Sequence, residues 1–321
     1  MKSFRNTLPT PGGTVFITDG GLETTLIYHY QMKLPHFAAF YLLSDEKGKI
    51  ILKDYFESYL QLAKKYAKGF ILESPTWRAS SDWGYKLGYS QNELHDLNQS
   101  AIHELRKLKR AYESEETPVL ISGCLGPRGD GYVTSQKMNI TKAENYHKLQ
   151  VSAFQKAKVD LLTGITLNYS EEAIGMVKAA MSFNLPIVIS FTVETDGKLP
   201  SGEFLNEAIQ QVDEVTAEYP SYYMINCAHP SHFINQLENS GTWISRIYGI
   251  RANASLKSHE ELDNSTALDA GDKIELAERY KELQNILPNL IVYGGCCGTD
   301  HNHIDQICQK CFTNNPVLDN K

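Results

Sequence analysis

The chain has no long apolar run, no excess of positive charge and no low-complexity stretch, and each absence removes a class of function. No window of about 18 apolar residues occurs, so no membrane-spanning helix is expected. The opening Met1-Lys-Ser-Phe-Arg-Asn-Thr lacks the hydrophobic centre of a secretory signal, and the expectation is a cytoplasmic protein. With 31 basic against 38 acidic residues the net charge is −7. No basic cluster exceeds one helix face, which argues against nucleic acid or a membrane surface as partner. Pro/Gly/Ser-rich boundaries and internal repeats are also missing, so residues 1–321 are expected to form one domain. Asp19-Gly-Gly-Leu-Glu, after the first β-rich run, lacks the glycine spacing of a dinucleotide-binding loop, which disfavours an open doubly wound sheet. The partners that remain are small molecules, with a homo-oligomer possible.

What is present is a regular alternation. Eight β-rich runs are each followed by a longer segment: Val15 to Gly20, Phe70 to Thr76, Val119 to Gly123, Asp160 to Leu167, Ile187 to Glu194, Tyr222 to Cys227, Ile247 to Ala254 and Leu290 to Gly295. Between them lie helix signals. Phe56, Tyr59, Leu60, Ala63 and Ala67 share one helical face, and Thr141 with Glu144 reads as a capping box. Eight β/α units with right-handed crossovers predict an α/β fold of the (β/α)8 TIM-barrel type, whose chemistry sits at the C-terminal ends of the strands.

Those strand ends carry Asp19, Gly20 and Glu23 after the first run, Glu73, Trp77 and Arg78 after the second, and Glu194 after the fifth. Asn226 and Cys227 end the sixth, Arg251 falls on the seventh, and Cys296 and Cys297 follow the eighth. Two adjacent thiols on a glycine-rich turn can reach one metal ion from one side, and Cys227 can close the site from a neighbouring strand. The alternatives are a vicinal Cys296–Cys297 disulfide or apolar packing. Cys308 and Cys311 are a C-x2-C pair one helical turn apart and read as packing; Cys124 reads as a small barrel-lining residue. His301 and His303 flank the metal turn and suit either support of the metal or helix capping. Three thiolates donate charge strongly and acidify a bound water less than histidines do, so hydrolysis is disfavoured. A substrate thiol held as thiolate in the open position suits attack on an activated methyl group, that is, alkyl transfer to sulfur.

Asp19-Gly-Gly-Leu, Asn226-Cys227 and Gly294-Gly-Cys-Cys-Gly-Thr299 followed by His303-Ile304 resemble the zinc-dependent homocysteine S-methyltransferase family. That family includes betaine-homocysteine methyltransferase and the homocysteine module of cobalamin-dependent methionine synthase. The resemblance spans nearly the whole chain, and its most specific part is Asn-Cys combined with Gly-Gly-Cys-Cys. It implies a (β/α)8 barrel, Zn2+ on Cys227, Cys296 and Cys297, Asp19 near the homocysteine amine, and methionine as product. No folate, cobalamin or activation domain is expected in these 321 residues, and the expected relatives are the stand-alone members.

Two positions depart from the family pattern. Ile165 stands where many members carry the glutamate that holds the homocysteine ammonium, and an isoleucine cannot pair with that charge. The expectation is that Asp19 works with another acid such as Glu194, or that a different thiol is the substrate. At Trp77-Arg78, betaine-using relatives carry two aromatic residues. Arg78 beside Trp77 would repel a quaternary ammonium by roughly 4 kcal/mol at about 4 Å and an effective dielectric of 20, against about 2 kcal/mol from one cation–π contact. A sulfonium amino acid such as S-methylmethionine, whose carboxylate Arg78 can grip, is the better donor. The substrate residues expected are therefore Asp19, Gly20, Glu73, Trp77, Arg78, Glu194 and Asn226. A zinc-storing or redox-sensing barrel without turnover is the reading from another class.

Overall fold

The computed structural model describes residues 8–134, 136–237 and 241–313. Eight parallel strands close on themselves in chain order: β1 (Phe16–Ile17), β2 (Gly69–Glu73), β3 (Val119–Leu125), β4 (Leu161–Leu167), β5 (Ile187–Thr192), β6 (Tyr223–Asn226), β7 (Ile247–Ala252) and β8 (Val292–Gly295). Closure is made by β1, whose Phe16 pairs with Gly69 of β2 on one side and Val292 of β8 on the other. This is the (β/α)8 barrel that the alternation implies. Every strand residue but Tyr248 is buried, as expected when helices cover one face and side chains fill the other.

The barrel interior is layered. Phe16, Ile71, Leu120, Leu161, Val188, Tyr222, Met224 and Val292 form an apolar plug low in the barrel. Above it, toward the C-terminal ends, the inward positions turn polar: Ser122 and Thr163 share a hydrogen bond of 2.8 Å, and Glu73 and Arg251 follow. A larger apolar cluster packs the strands against the surrounding helices.

Helix boundaries follow local chemistry. The helix α2 (Glu46–Lys65) starts at Asp45, which accepts from Gly48 N, and buries Phe56, Tyr59, Leu60 and Ala63 on one face. It stops before Ala67, whose φ of 49° is incompatible with the helix the periodicity predicts there. In α5 (Ile140–Ala157) the expected Thr141–Glu144 box does not form. Asn139 is the cap, accepting from Lys142 N, so Thr141 lies inside the helix and Glu144 pairs with Lys148. The last helix, α11 (His301–Phe312), is capped by Asp300 in a reciprocal box with His303, and Cys308 packs fully buried on its inner face. Among the described residues no helix is long and apolar enough to cross a membrane.

Candidate active site

The strands end early, and the chemistry lies in the first residues beyond them. Asp19 and Gly20 sit two and three residues past β1, Cys227 directly follows β6, and Cys296 directly follows β8. These ends face a cavity of about 400 Å3, within the range of about 300–1,000 Å3 usual for small-molecule sites. Asp19, Gly20, Glu73, Trp77, Arg78, Cys227, Cys296 and Cys297 line it, together with Glu23, Tyr132, Ile165 and Arg251.

The three cysteine sulfurs lie within 4.8 Å of one another. Zinc–sulfur bonds of about 2.3 Å in a tetrahedron require sulfurs about 3.8 Å apart, so the three cysteines suit a zinc ion when all are reduced to thiols. Cys227 and Cys296 are joined as a disulfide, with Cα atoms 5.3 Å apart, while Cys297 is free. The vicinal Cys296–Cys297 pairing is therefore corrected: the partner of Cys296 is Cys227, which directly follows β6, and Cys297 is left free. Burial pushes the Cys297 thiol up to about 11. A cation at the cluster is what draws off such a proton.

The backbone of Cys227 is left-handed, φ 54°, which is uncommon for a residue with a side chain. Three contacts hold it there: Cys227 N donates to Arg251 O at 3.1 Å, and Cys227 O accepts from Asn253 Nδ2 at 3.0 Å and from His259 Nε2 at 2.5 Å. Glu194 bonds the other nitrogen of His259 at 3.1 Å. Asn226 faces away from the ligand space. Its Oδ1 accepts from Thr166 N and Ser190 Oγ while its Nδ2 donates to Thr166 Oγ1, tying β4, β5 and β6 together beneath Cys227. Glu194 and Asn226, expected among the substrate residues, support the surroundings of Cys227 and are not among the residues lining the main cavity.

The glycines around the cysteines serve packing more than freedom. A Cβ on Gly294 would collide with Thr18 Oγ1, and one on Gly21 would meet Cys296 O at 2.6 Å; only Gly298, φ 79°, needs the left-handed region. The close approach at Gly21 joins the first turn after β1 to the cysteine turn through Gly21 N to Thr299 O, 3.0 Å, and Gly298 N to Thr24 Oγ1, 3.3 Å.

Arg251 reorganises the expected acids. It donates to Asp19 Oδ1 at 2.6 Å and to Glu73 Oε2 at 2.5 Å, with all three side chains buried. Tyr55 Oη donates to the other Asp19 oxygen at 3.0 Å. The charge that the resemblance reserves for a substrate amine is thus neutralised inside the protein, and Glu73 is held in the same way. Asp19 does not cap a helix; Gly21 occupies that position. Burial pushes the Asp19 and Glu73 carboxyls up, and Arg251 opposes the shift.

Arg78 lies between two indoles. Its guanidinium carbon is 3.9 Å from the Trp77 ring centroid and 3.7 Å from that of Trp83. Nη1 donates to Gly129 O at 2.8 Å, while Nε is buried without a partner. Burial lowers this group to about 10, which leaves it charged at neutral pH. Tyr132 packs against His259 with the rings tilted by 40° and centroids 4.1 Å apart, and brings its hydroxyl to 3.8 Å from Cys297 Sγ. His303 bonds Asp300 and Ala270 O, a cap and a loop tie, and exposed His301 makes no contact with the cluster.

Sequence reasoning placed Arg251 at a strand end without selecting it, and missed Trp83, Tyr132 and His259. The only local signal was the Ser258–Glu261 capping box that starts the helix carrying His259. None of the others has a spacing that announces its role.

The homocysteine S-methyltransferase family model matches residues 16–311. Among solved structures, the homocysteine methyltransferase MmuM of Escherichia coli aligns in its oxidized form with a TM-score of 0.72 at 17% identity, covering 92% of this chain and 96% of that one. Its metallated form aligns at 0.70 and 17%, covering 93% and 97%, and its apo form at 0.65 and 16%, covering 93% and 96%. No curated protein matches in sequence. At these identities the structural likeness speaks for the barrel, while the family match extends from β1 to α11. The chain belongs to the homocysteine S-methyltransferase family and is a methyltransferase built on a (β/α)8 barrel.

Proposed function

We propose that the protein is a zinc-dependent methyltransferase of the cytoplasm that moves a methyl group from a sulfonium amino acid of the S-methylmethionine kind to homocysteine, giving methionine. The observation that carries the donor assignment is Arg78 between Trp77 and Trp83. The aromatic surfaces that would attract a quaternary ammonium are already covered by the protein's own cation, so betaine meets repulsion without a free ring face. Arg78 lines the cavity, with Nη1 held by Gly129 O and no carboxylate of a described residue paired with it, so its charge is free to meet a donor carboxylate. A sulfonium amino acid supplies that carboxylate.

Cys227, Cys296 and Cys297 are the residues that would hold zinc, which when bound favours the ionised form of a substrate thiol. The chain's own residues do the rest. Asn253 and His259 fix the Cys227 backbone, Asn226 ties the strands beneath it, and Tyr132 and Trp77 wall the cavity. In the reaction the homocysteine sulfur forms a bond to the methyl carbon as the donor's S–CH3 bond breaks, the electron pair staying on the donor sulfur. The thiol proton leaves to solvent. Methyl transfer measured for S-methylmethionine and betaine against homocysteine, with zinc-loaded protein, tests the reading. Turnover with betaine equal to or above that with S-methylmethionine overturns it.

A further inference from the structure

The family reading leaves one charge without an acceptor. The ammonium of homocysteine needs a carboxylate, yet Ile165 occupies the strand-four position, and Asp19 and Glu73 are both paired with Arg251. A buried ammonium without a partner is costly, so a barrel that accepts an amino acid thiol must place an acid elsewhere. Glu23 is such an acid. It lies in the short helix α1 (Leu22–Thr24) and lines the same cavity as the three cysteines. Among the described residues no side chain forms a hydrogen bond or ion pair with its carboxylate. It shares that cavity with Cys296 and Cys297, and Arg78 and Arg251 line it too without forming an ion pair with Glu23.

Gly21 N to Thr299 O and Gly298 N to Thr24 Oγ1 bind the residues on either side of Glu23 to the cysteine turn, so the backbone that carries Glu23 is fixed beside the cysteines. In homocysteine the thiol and the amine are joined by a short chain, so an acceptor beside the sulfur cluster is where the amine arrives.

Resting on the homocysteine reading above, we propose that Glu23 is the specificity residue that binds the amino group of the thiol substrate, replacing the acid absent at Ile165. The test is calorimetric binding of L-homocysteine and of 4-mercaptobutanoate, the same thiol without the amine, to zinc-loaded protein and its Glu23→Gln variant. The unmodified protein should bind homocysteine more tightly by about ten- to a hundredfold, the range for a charge-assisted hydrogen bond. Glu23→Gln should remove most of that preference by weakening homocysteine alone, while the amine-free thiol, bound as before, reports an intact site. Equal weakening of both thiols, or of neither, overturns the assignment. Failure of the unmodified protein to bind either thiol overturns it together with the homocysteine reading. Tight, Glu23-dependent binding without methyl transfer from S-methylmethionine overturns the donor assignment and supports Glu23.

Discussion

Arg251 Nη2 reaches Asp19 Oδ1 at 2.6 Å across a sequence separation of 232 residues, and with Glu73 on Nη1 it makes a buried acid–base–acid triad at the barrel mouth. Removing the cation leaves two carboxylates desolvated and facing each other. Arg251→Met should therefore destabilise the fold by about 3–5 kcal/mol, the cost of breaking a buried pair from one side. Urea denaturation at pH 7 measures it. Adding Asp19→Asn and Glu73→Gln should recover part of the loss, and a single variant as stable as the parent would show that the triad carries little.

For the metal, Cys227→Ser, Cys296→Ser and Cys297→Ser should each lower bound zinc well below one ion per chain. Cys308→Ser and Cys311→Ser should leave it unchanged, because Cys308 and Cys311 sit on α11 among apolar side chains. Elemental analysis of the purified variants decides this. Mild oxidation of metal-free protein should cross-link Cys227 to Cys296, the pair in bonding contact, and peptide mapping that finds Cys296 joined to Cys297 would contradict it.

For the donor, Arg78→Ala should raise the Michaelis constant for S-methylmethionine by about ten- to a hundredfold and uncover the Trp77 and Trp83 rings for betaine. Steady-state kinetics with both donors read the effect. An unchanged constant for both would mean that the stacked guanidinium serves only to brace the indoles.

Asp300 caps α11 three residues beyond Cys297, accepting from Asn302 N at 2.9 Å and His303 N at 3.2 Å. Burial raises its carboxyl, but the His303 and Asn302 hydrogen bonds outweigh it and hold the group well below the usual carboxylate range. The unfolded chain binds its proton near pH 4, so the stabilisation is complete above that pH and is lost as the pH falls toward the folded value. Asp300→Ala should cost about 1–2 kcal/mol at pH 7, and the difference from the parent should shrink below about pH 4. Thermal unfolding across that range measures it, and a difference independent of pH would exclude the charge as its source.

The barrel was legible in the chain because alternation of β-rich and helical segments is a local property. Buried parallel strands require runs such as Ile187 to Thr192, and amphipathic helices require faces such as Phe56, Tyr59, Leu60 and Ala63. The cysteine cluster was legible for a related reason: once eight strands close, Cys227 and Cys296 after β6 and β8 must face one mouth. Boundaries were less so. Ala67 and Thr141 fit helical patterns, yet a left-handed backbone at the first and a better cap at Asn139 for the second decided where the helices run.

Charge pairing was beyond sequence reading. Asp19, Glu73 and Arg251 were all visible at strand ends, but which acid meets the base depends on inward-pointing positions of three strands sharing one layer. Likewise, Trp83 reaches Arg78 only because α3 (Ser81–Lys86) folds back over the mouth, and Glu194 reaches His259 rather than the cavity because the loop after β7 comes between. The order of residues determined the barrel and the three thiols. The tertiary structure decided which charges are paired within the protein and which, Glu23 and Arg78 among them, line the cavity without an ion pair to a described residue, because that balance is set by desolvation and distance between segments far apart in the chain.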